Sequence, residues 1–192
     1  MTPDPVRDAL PAGAATAQRV RDALAAVHDP EIPPLSIVDL GIVEDVRVSD
    51  DAVHVDLLPT FAGCPALDVI RRDVEAAVGA VAGGRDVRVG FVFAPPWTSD
   101  RITRTGRDAL REYGLTPPPD AAQRRESSTA FVPVAALGRP AAGAQPSVEC
   151  PFCGSRDTEL ESAFGPTLCR ATHYCRACRN PFESFKPKAA DR

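Results

Sequence analysis

The sequence predicts an α+β protein, a small mixed sheet with helices on one face, followed by a short C-terminal module pinned by cysteines. Three observations carry this reading. Segments of helical and alternating period follow one another as helix, strand, strand, helix, strand, helix up to residue 115. A proline- and alanine-rich stretch without a sustained period then runs to Glu149. Five of the six cysteines fall between Cys150 and Cys178, including two Cys-x-x-Cys pairs separated by 21 residues.

Thr16 to Val27 reads as an amphipathic helix, with Ala17, Val20, Leu24 and Val27 on one stripe and Thr16 as its cap. The prolines of His28-Asp29-Pro30-Glu31-Ile32-Pro33-Pro34 end it in a stiff loop. Ile42 to Val48 is β-branched, Ser49-Asp50-Asp51 is a tight turn, and Val53, Val55 and Leu57 alternate with His54 and Asp56, which makes a hairpin with one apolar face. Pro65 to Val78 reads as a second helix through Leu67, Ile70, Val74 and Ala77. Val87, Val89 and Phe91 mark a third strand, and Ser99 to Tyr113 a third helix stopped by Gly114. Trp97 is expected to be packed, while His28 and His54 are expected to face solvent or sit satisfied in the core.

The expected organisation is a disordered start (1–15), an α+β domain (16–115), a linker (116–149) with a short strand or docking patch at Phe131–Val134, and a cysteine module (150–188). The chain has 192 residues, 44% of them hydrophobic, and no apolar run long enough to span a membrane. Its first residues do not read as a secretory signal, so the expected compartment is the reducing cytoplasm, where clustered cysteines are metal ligands rather than disulfides. Net charge is −4, divided as −6 over residues 1–149 and +2 over 150–192. That balance argues against a nucleic-acid partner. Glycine-rich phosphate loops, a Rossmann fingerprint, Gly-x-Ser-x-Gly and Glu-x-x-His are all missing, so the chain is not expected to hold a flavin, a nucleotide or a di-iron centre.

Two constellations carry chemistry. Cys150, Cys153, Cys175 and Cys178 can converge as four thiolates on one tetrahedral zinc ion, a closed structural site, with iron as the alternative metal. This makes the module a C-terminal zinc ribbon. Cys169 and His173 lie between the pairs and read as hairpin residues, Cys169 as a small buried hydrophobe, with substitute metal ligands as the alternative. Phe152, Phe164, Phe182 and Phe185 read as the mini-core over the metal. The second constellation is Cys64, followed by Pro65 at an expected helix start. Helix-terminal amides there would lower its thiol pKa and make it a nucleophile, a redox thiol or a soft-metal ligand; a buried structural cysteine is the alternative. Asp29, Glu31 and Asp39 lie in early loops. If the fold brings them to Cys64 they complete a pocket able to hold iron; otherwise they cap and turn the chain.

The segments His28–Pro33, Ile37–Val43 and Pro59–Pro65 resemble the SufT-type iron–sulfur assembly family. Pro96–Thr103, Gly106-Arg107, Tyr113–Pro118, Phe164–Arg170 and Asn180–Lys186 resemble, more particularly, the PaaD (PaaJ) family of phenylacetyl-CoA epoxidase accessory subunits. The similarity covers residues 16–118 and 150–188. Phe61-Ala62 and Ser99 depart mildly from the pattern, and the linker is longer than usual. The resemblance implies a non-catalytic maturation factor in aerobic phenylacetate catabolism, with Cys64 as the family's reactive cysteine and Asp29, Glu31 and Asp39 as its acidic motif. It implies transient iron or an iron–sulfur cluster at that pocket, structural zinc in the ribbon, and the oxygenase or the iron–sulfur flavoprotein reductase as partner. A stable structural subunit of the epoxidase is the second reading and a zinc-ribbon nucleic-acid binder the third. Self-association stays open.

Overall fold

In the computed structural model, which describes residues 12–120 and 148–188, helix α1 (Ala12–Ala25) begins before the expected Thr16 and buries Val20 and Leu24. Residues 1–11, the expected patch at Phe131–Val134 and most of the expected linker lie outside the described residues. The proline-stiffened loop is a small hairpin, β1 (His28–Asp29) against β2 (Ile32–Ser36). Asp29 Oδ1 shapes its tip by accepting from the backbone N–H of Glu31 at 2.7 Å and of Ile32 at 3.1 Å.

The expected second hairpin is present as β3 (Val43–Val48) and β4 (Ala52–Leu57). Helix α2 (Leu67–Gly79) then carries the chain to β5 (Asp86–Phe91), which pairs parallel with β4, so the sheet order is β3-β4-β5. The central strand buries Val53, Val55 and Leu57, and α2 covers them with Ile70, Val74 and Val78. Helix α1 packs on β3 and α2. The mixed sheet with helices on one face is thus the observed architecture.

The third helix differs from its sequence reading. Ser99–Arg101 form a single 3-10 turn, Ile102 turns extended into the core, and α3 (Arg104–Glu112) starts anew. Tertiary partners override the helical period here. Thr103 Oγ1 accepts from Gly106 N–H at 3.0 Å as the α3 cap and donates to Asp39 Oδ1 at 2.6 Å. Gly106 is pressed so close that an added Cβ would meet the Asp39 carbonyl oxygen at 2.6 Å.

A third sheet joins the end of the α+β domain to the C-terminal module. β6 (Leu115–Thr116), β7 (Thr158–Ser162), β8 (Arg170–Cys175) and β9 (Pro181–Phe185) order as β6-β9-β8-β7, with β6 and β9 parallel. Trp97 is 1% exposed, donates Nε1–H to the Leu40 carbonyl at 3.0 Å and packs on Phe185 at a ring separation of 5.9 Å. The backbone N–H of Ser99 donates to the Lys188 carbonyl at 2.9 Å. Phe185 therefore belongs to the main core, and only Phe182 joins Cys150 and Cys175 in the ribbon's own cluster. Phe152 and Phe164 are exposed, which corrects the expected four-phenylalanine mini-core. Each flanks a turn whose backbone bonds satisfy the local chain without an apolar cover.

Two outcomes follow from this packing. Trp97 is the sole tryptophan, so a chain ending before Cys150 should show red-shifted emission as Phe185 is removed; unchanged emission would mean the ribbon contributes nothing to that core. Gly106→Ala should lower stability by about 1–3 kcal/mol, read by thermal melting, because the added methyl forces α3 off Asp39.

Candidate functional site

Three loops from distant parts of the chain converge on Cys64. The first is the β1–β2 tip with Asp29 and Glu31. The second is the segment from Leu58 to Ala66, tied down by Leu58 N–H to the Ile42 carbonyl at 2.8 Å and by Cys64 N–H to the Phe61 carbonyl at 3.1 Å. The third is the β7–β8 connection, ending in Cys169 and Arg170. An added Cβ on Gly63 would lie 3.8 Å from Leu168 Cδ1, so the residues just before the two cysteines are near one another. Lys188 Nζ donates to the Thr60 carbonyl at 3.1 Å on the same side.

Cys64 is half-buried, and its thiol does not have the lowered pKa that the sequence suggested. Helix α2 starts only at Leu67, with Ala66 at its cap, so Cys64 stands outside the helix end. Burial pushes the thiol up. One N–H from Ala66 opposes this, and the nearby Glu31, Asp29 and Cys169 raise it further. The pocket thus favours the protonated thiol of Cys64. Burial likewise raises Glu31, with Asp29 adding to it and Arg170 opposing. Asp29 is raised by burial against its two backbone hydrogen bonds and Arg170. Among the described residues nothing donates a hydrogen bond to the Glu31 carboxylate.

Asp39 is placed differently. Its Oδ2 accepts from Ser36 Oγ at 2.9 Å and its Oδ1 from Thr103 at 2.6 Å, so both oxygens hold a turn to α3. Cys169 and Arg170, by contrast, enter the Cys64 neighbourhood without having been singled out as site residues. Cys169 is 9% exposed and its Sγ lies 3.1 Å from Thr167 Oγ1. Its thiol is pushed up by burial, with Thr167 and Arg170 opposing and Glu31 and Asp29 adding. Arg170 is 8% exposed, donates Nη1–H to Glu183 Oε2 at 2.9 Å and Nη2–H to the Glu31 carbonyl at 2.5 Å. Its buried Nε–H has no acceptor among the described residues. No local spacing could reveal a contact between residues 139 positions apart; the only sequence signal was the family likeness of Phe164–Arg170.

The ribbon cysteines form a separate cluster. The sulfurs of Cys150, Cys153, Cys175 and Cys178 all lie within 4.8 Å of one another. Cys150 to Cys178 is 3.7 Å and Cys153 to Cys175 is 3.6 Å. Four sulfurs about 2.3 Å from a tetrahedral zinc ion would be about 3.8 Å apart, so the donors fit the metal. Each knuckle closes on itself, Gly154 N–H donating to the Cys150 carbonyl and Arg179 N–H to that of Cys175. Gly154 at φ +71° and Arg179 at φ +59° take the left-handed turn that this requires. His173 is excluded from the cluster: its Nε2 is 2.8 Å from Ser184 Oγ and its ring stacks on Phe182. Bound zinc would cross-link the knuckles and leave no open position for chemistry.

Two family models match the chain, the PaaD zinc beta ribbon domain over residues 137–186 and the iron–sulfur cluster assembly protein over residues 17–91. The chain is 37% identical to a component of the "Putative 1,2-phenylacetyl-CoA epoxidase" of Escherichia coli (strain K12), over 85% of this chain and 88% of that protein. It is 35% identical to the Fe-S protein maturation auxiliary factor YitW of Bacillus subtilis (strain 168), over 48% of this chain and 91% of that protein. The Fe-S protein maturation auxiliary factor SufT of Staphylococcus aureus (strain USA300) is 38% identical, over 44% of this chain and 96% of that protein. With a relative matched along nearly its whole length, and with both component domains matched in order, the chain belongs to the PaaD family, in which an iron–sulfur assembly domain is joined to a zinc ribbon.

Proposed function

We propose that this chain is a cytoplasmic, non-catalytic maturation factor for the ring-epoxidising monooxygenase of aerobic phenylacetate catabolism. In this reading Cys64 transiently holds iron or an iron–sulfur fragment and passes it to the oxygenase or to the iron–sulfur flavoprotein reductase. The observation that carries it is the half-buried Cys64 thiol beside Glu31 and Asp29, within the segment that matches the iron–sulfur assembly family. A thiolate with a neighbouring carboxylate suits iron, and the metal itself can displace a proton that burial otherwise retains. The ribbon cysteines Cys150, Cys153, Cys175 and Cys178 hold zinc as a staple. Asp39, whose two oxygens are engaged by Ser36 and Thr103, holds the turn to α3.

A second reading, a structural subunit of the epoxidase with Cys64 inert, draws on the same raised thiol pKa. Epoxidase components produced together with Cys64→Ala should contain several-fold less iron than with the unaltered chain; full iron loading would favour the structural-subunit reading. The thiol environment has its own check. Alkylation of Cys64 should be slow at neutral pH and climb as pH rises past the ordinary thiol range. Glu31→Gln removes a charge that raises the thiol pKa, so it should speed alkylation at a fixed, near-neutral pH by about twofold or more. A Glu31→Gln rate equal to the unaltered one would separate the carboxylate from the thiol.

A further inference from the structure

We propose that Cys169 is the second thiol ligand of the Cys64 pocket, so that an iron–sulfur cluster is held between the two units of the chain rather than by the assembly domain alone. This rests on the maturation reading above and extends it to residues of the ribbon.

The geometry begins with the two cysteine loops. Leu168 lies near Gly63, close enough that an added Cβ there would sit 3.8 Å from Leu168 Cδ1, and both cysteines pack on the same hydrophobic cluster. The approach is fixed from both sides, by Arg170 Nη2–H on the Glu31 carbonyl and by Lys188 Nζ on the Thr60 carbonyl. Further along, Lys186 N–H donates to the Cys169 carbonyl at 2.8 Å, which anchors the loop to the strand end that carries Phe185. Cys169 is not needed by the zinc site, whose four sulfurs are already within reach of one another without it.

Arg170 decides the kind of cargo. Its guanidinium is more than nine-tenths buried, adjacent in sequence to Cys169, and keeps one N–H without an acceptor among the described residues. Its charge is already paired with Glu183, so what it offers a cargo is the remaining N–H donor, and a bare ferrous ion accepts no hydrogen bond. A thiolate-ligated iron–sulfur cluster carries net negative charge, and its sulfides accept hydrogen bonds. Two thiolates also hold such a cluster without completing it, since the common clusters take four. Two iron positions remain for a small thiol or for the receiving protein, and a carrier needs that incompleteness if transfer is to proceed.

The experiment uses the full-length, zinc-loaded chain and anaerobic incubation with ferric iron, sulfide and a small-molecule thiol, which reduces any iron the cluster needs as Fe2+, followed by desalting. Retained iron, acid-labile sulfide and sulfur-to-iron absorption are measured, with zinc content and Trp97 emission as checks on the fold. Cys64→Ser and Cys169→Ser should each retain at least tenfold less cluster than the unaltered chain while zinc and emission are unchanged. A measurement that needs no variant accompanies this: the bound cluster should protect both Cys64 and Cys169 from alkylation, as mapped by mass spectrometry. Loss with Cys64→Ser but full retention with Cys169→Ser, or protection of Cys64 alone, would overturn the two-thiol site and leave the Cys64 reading standing. Full retention by both variants, or no retention by the unaltered chain, would overturn both. Iron kept at wild-type level with no sulfide would overturn the cluster in favour of bare iron.

Discussion

The short parallel pairing of Leu115–Thr116 with Glu183–Ser184 is the constraint on which the rest of the arrangement depends. It places the last strand of the ribbon beside the end of the assembly domain and directs Phe185 onto Trp97. From there the chain reaches Lys188, whose carbonyl accepts from Ser99 and whose ammonium group reaches Thr60. Because β9 also pairs with β8, the same registration sets Arg170 opposite Phe185 and carries Cys169 to the Cys64 loop. Two residues of β6 contribute little hydrogen-bonding energy by themselves. Their consequence lies in the apolar surface that the registration buries.

The ribbon shows why such an attachment is needed. Its own buried cluster consists of Cys150, Cys175 and Phe182, with Val148 and Cys178 partly covered. A unit of this size cannot bury enough apolar surface to offset the entropy of ordering its chain, so it depends on its metal and on its neighbour. The contact is not purely apolar. Arg170 is a buried charge held by Glu183 and by the Glu31 carbonyl, and a buried charge without its partners costs several kcal/mol, about 3–5. Correct seating of the two units is therefore specified more sharply than burial alone would require.

What the sequence made legible was local. The hairpin from Val43 to Leu57, helix α2 and strand β5 appear where the alternation and the helical stripe put them, because each buries one face against one neighbour. The Cys-x-x-Cys pairs were legible because four donors on two tight turns have few other arrangements. The readings that changed were those that tertiary partners decide. Ser99 to Tyr113 has a helical period, yet Asp39 draws Thr103 into a cap and breaks it. Cys64 was read from Pro65 as a helix-start thiol, yet α2 begins later and burial beside carboxylates reverses the expected pKa direction. Phe152 and Phe164 look like core residues by type but face solvent. Cys169 was hidden for the same reason, since its partners belong to loops more than a hundred residues away in sequence.

The two sulfur sites obey opposite requirements, and the fold separates them accordingly. A staple must not exchange, so the zinc knuckles present four donors at mutual distances that match a closed tetrahedron and need no further ligand. A carrier must release what it binds, so its site has to be weaker than its client's. Raised thiol pKa values serve that end, because every thiolate offered to the metal first gives up a proton that the pocket favours. In the proposed two-thiol site the sulfurs come from loops of different units, which would add a second source of reversibility, because the grip on a cargo would then depend on the seating of the ribbon.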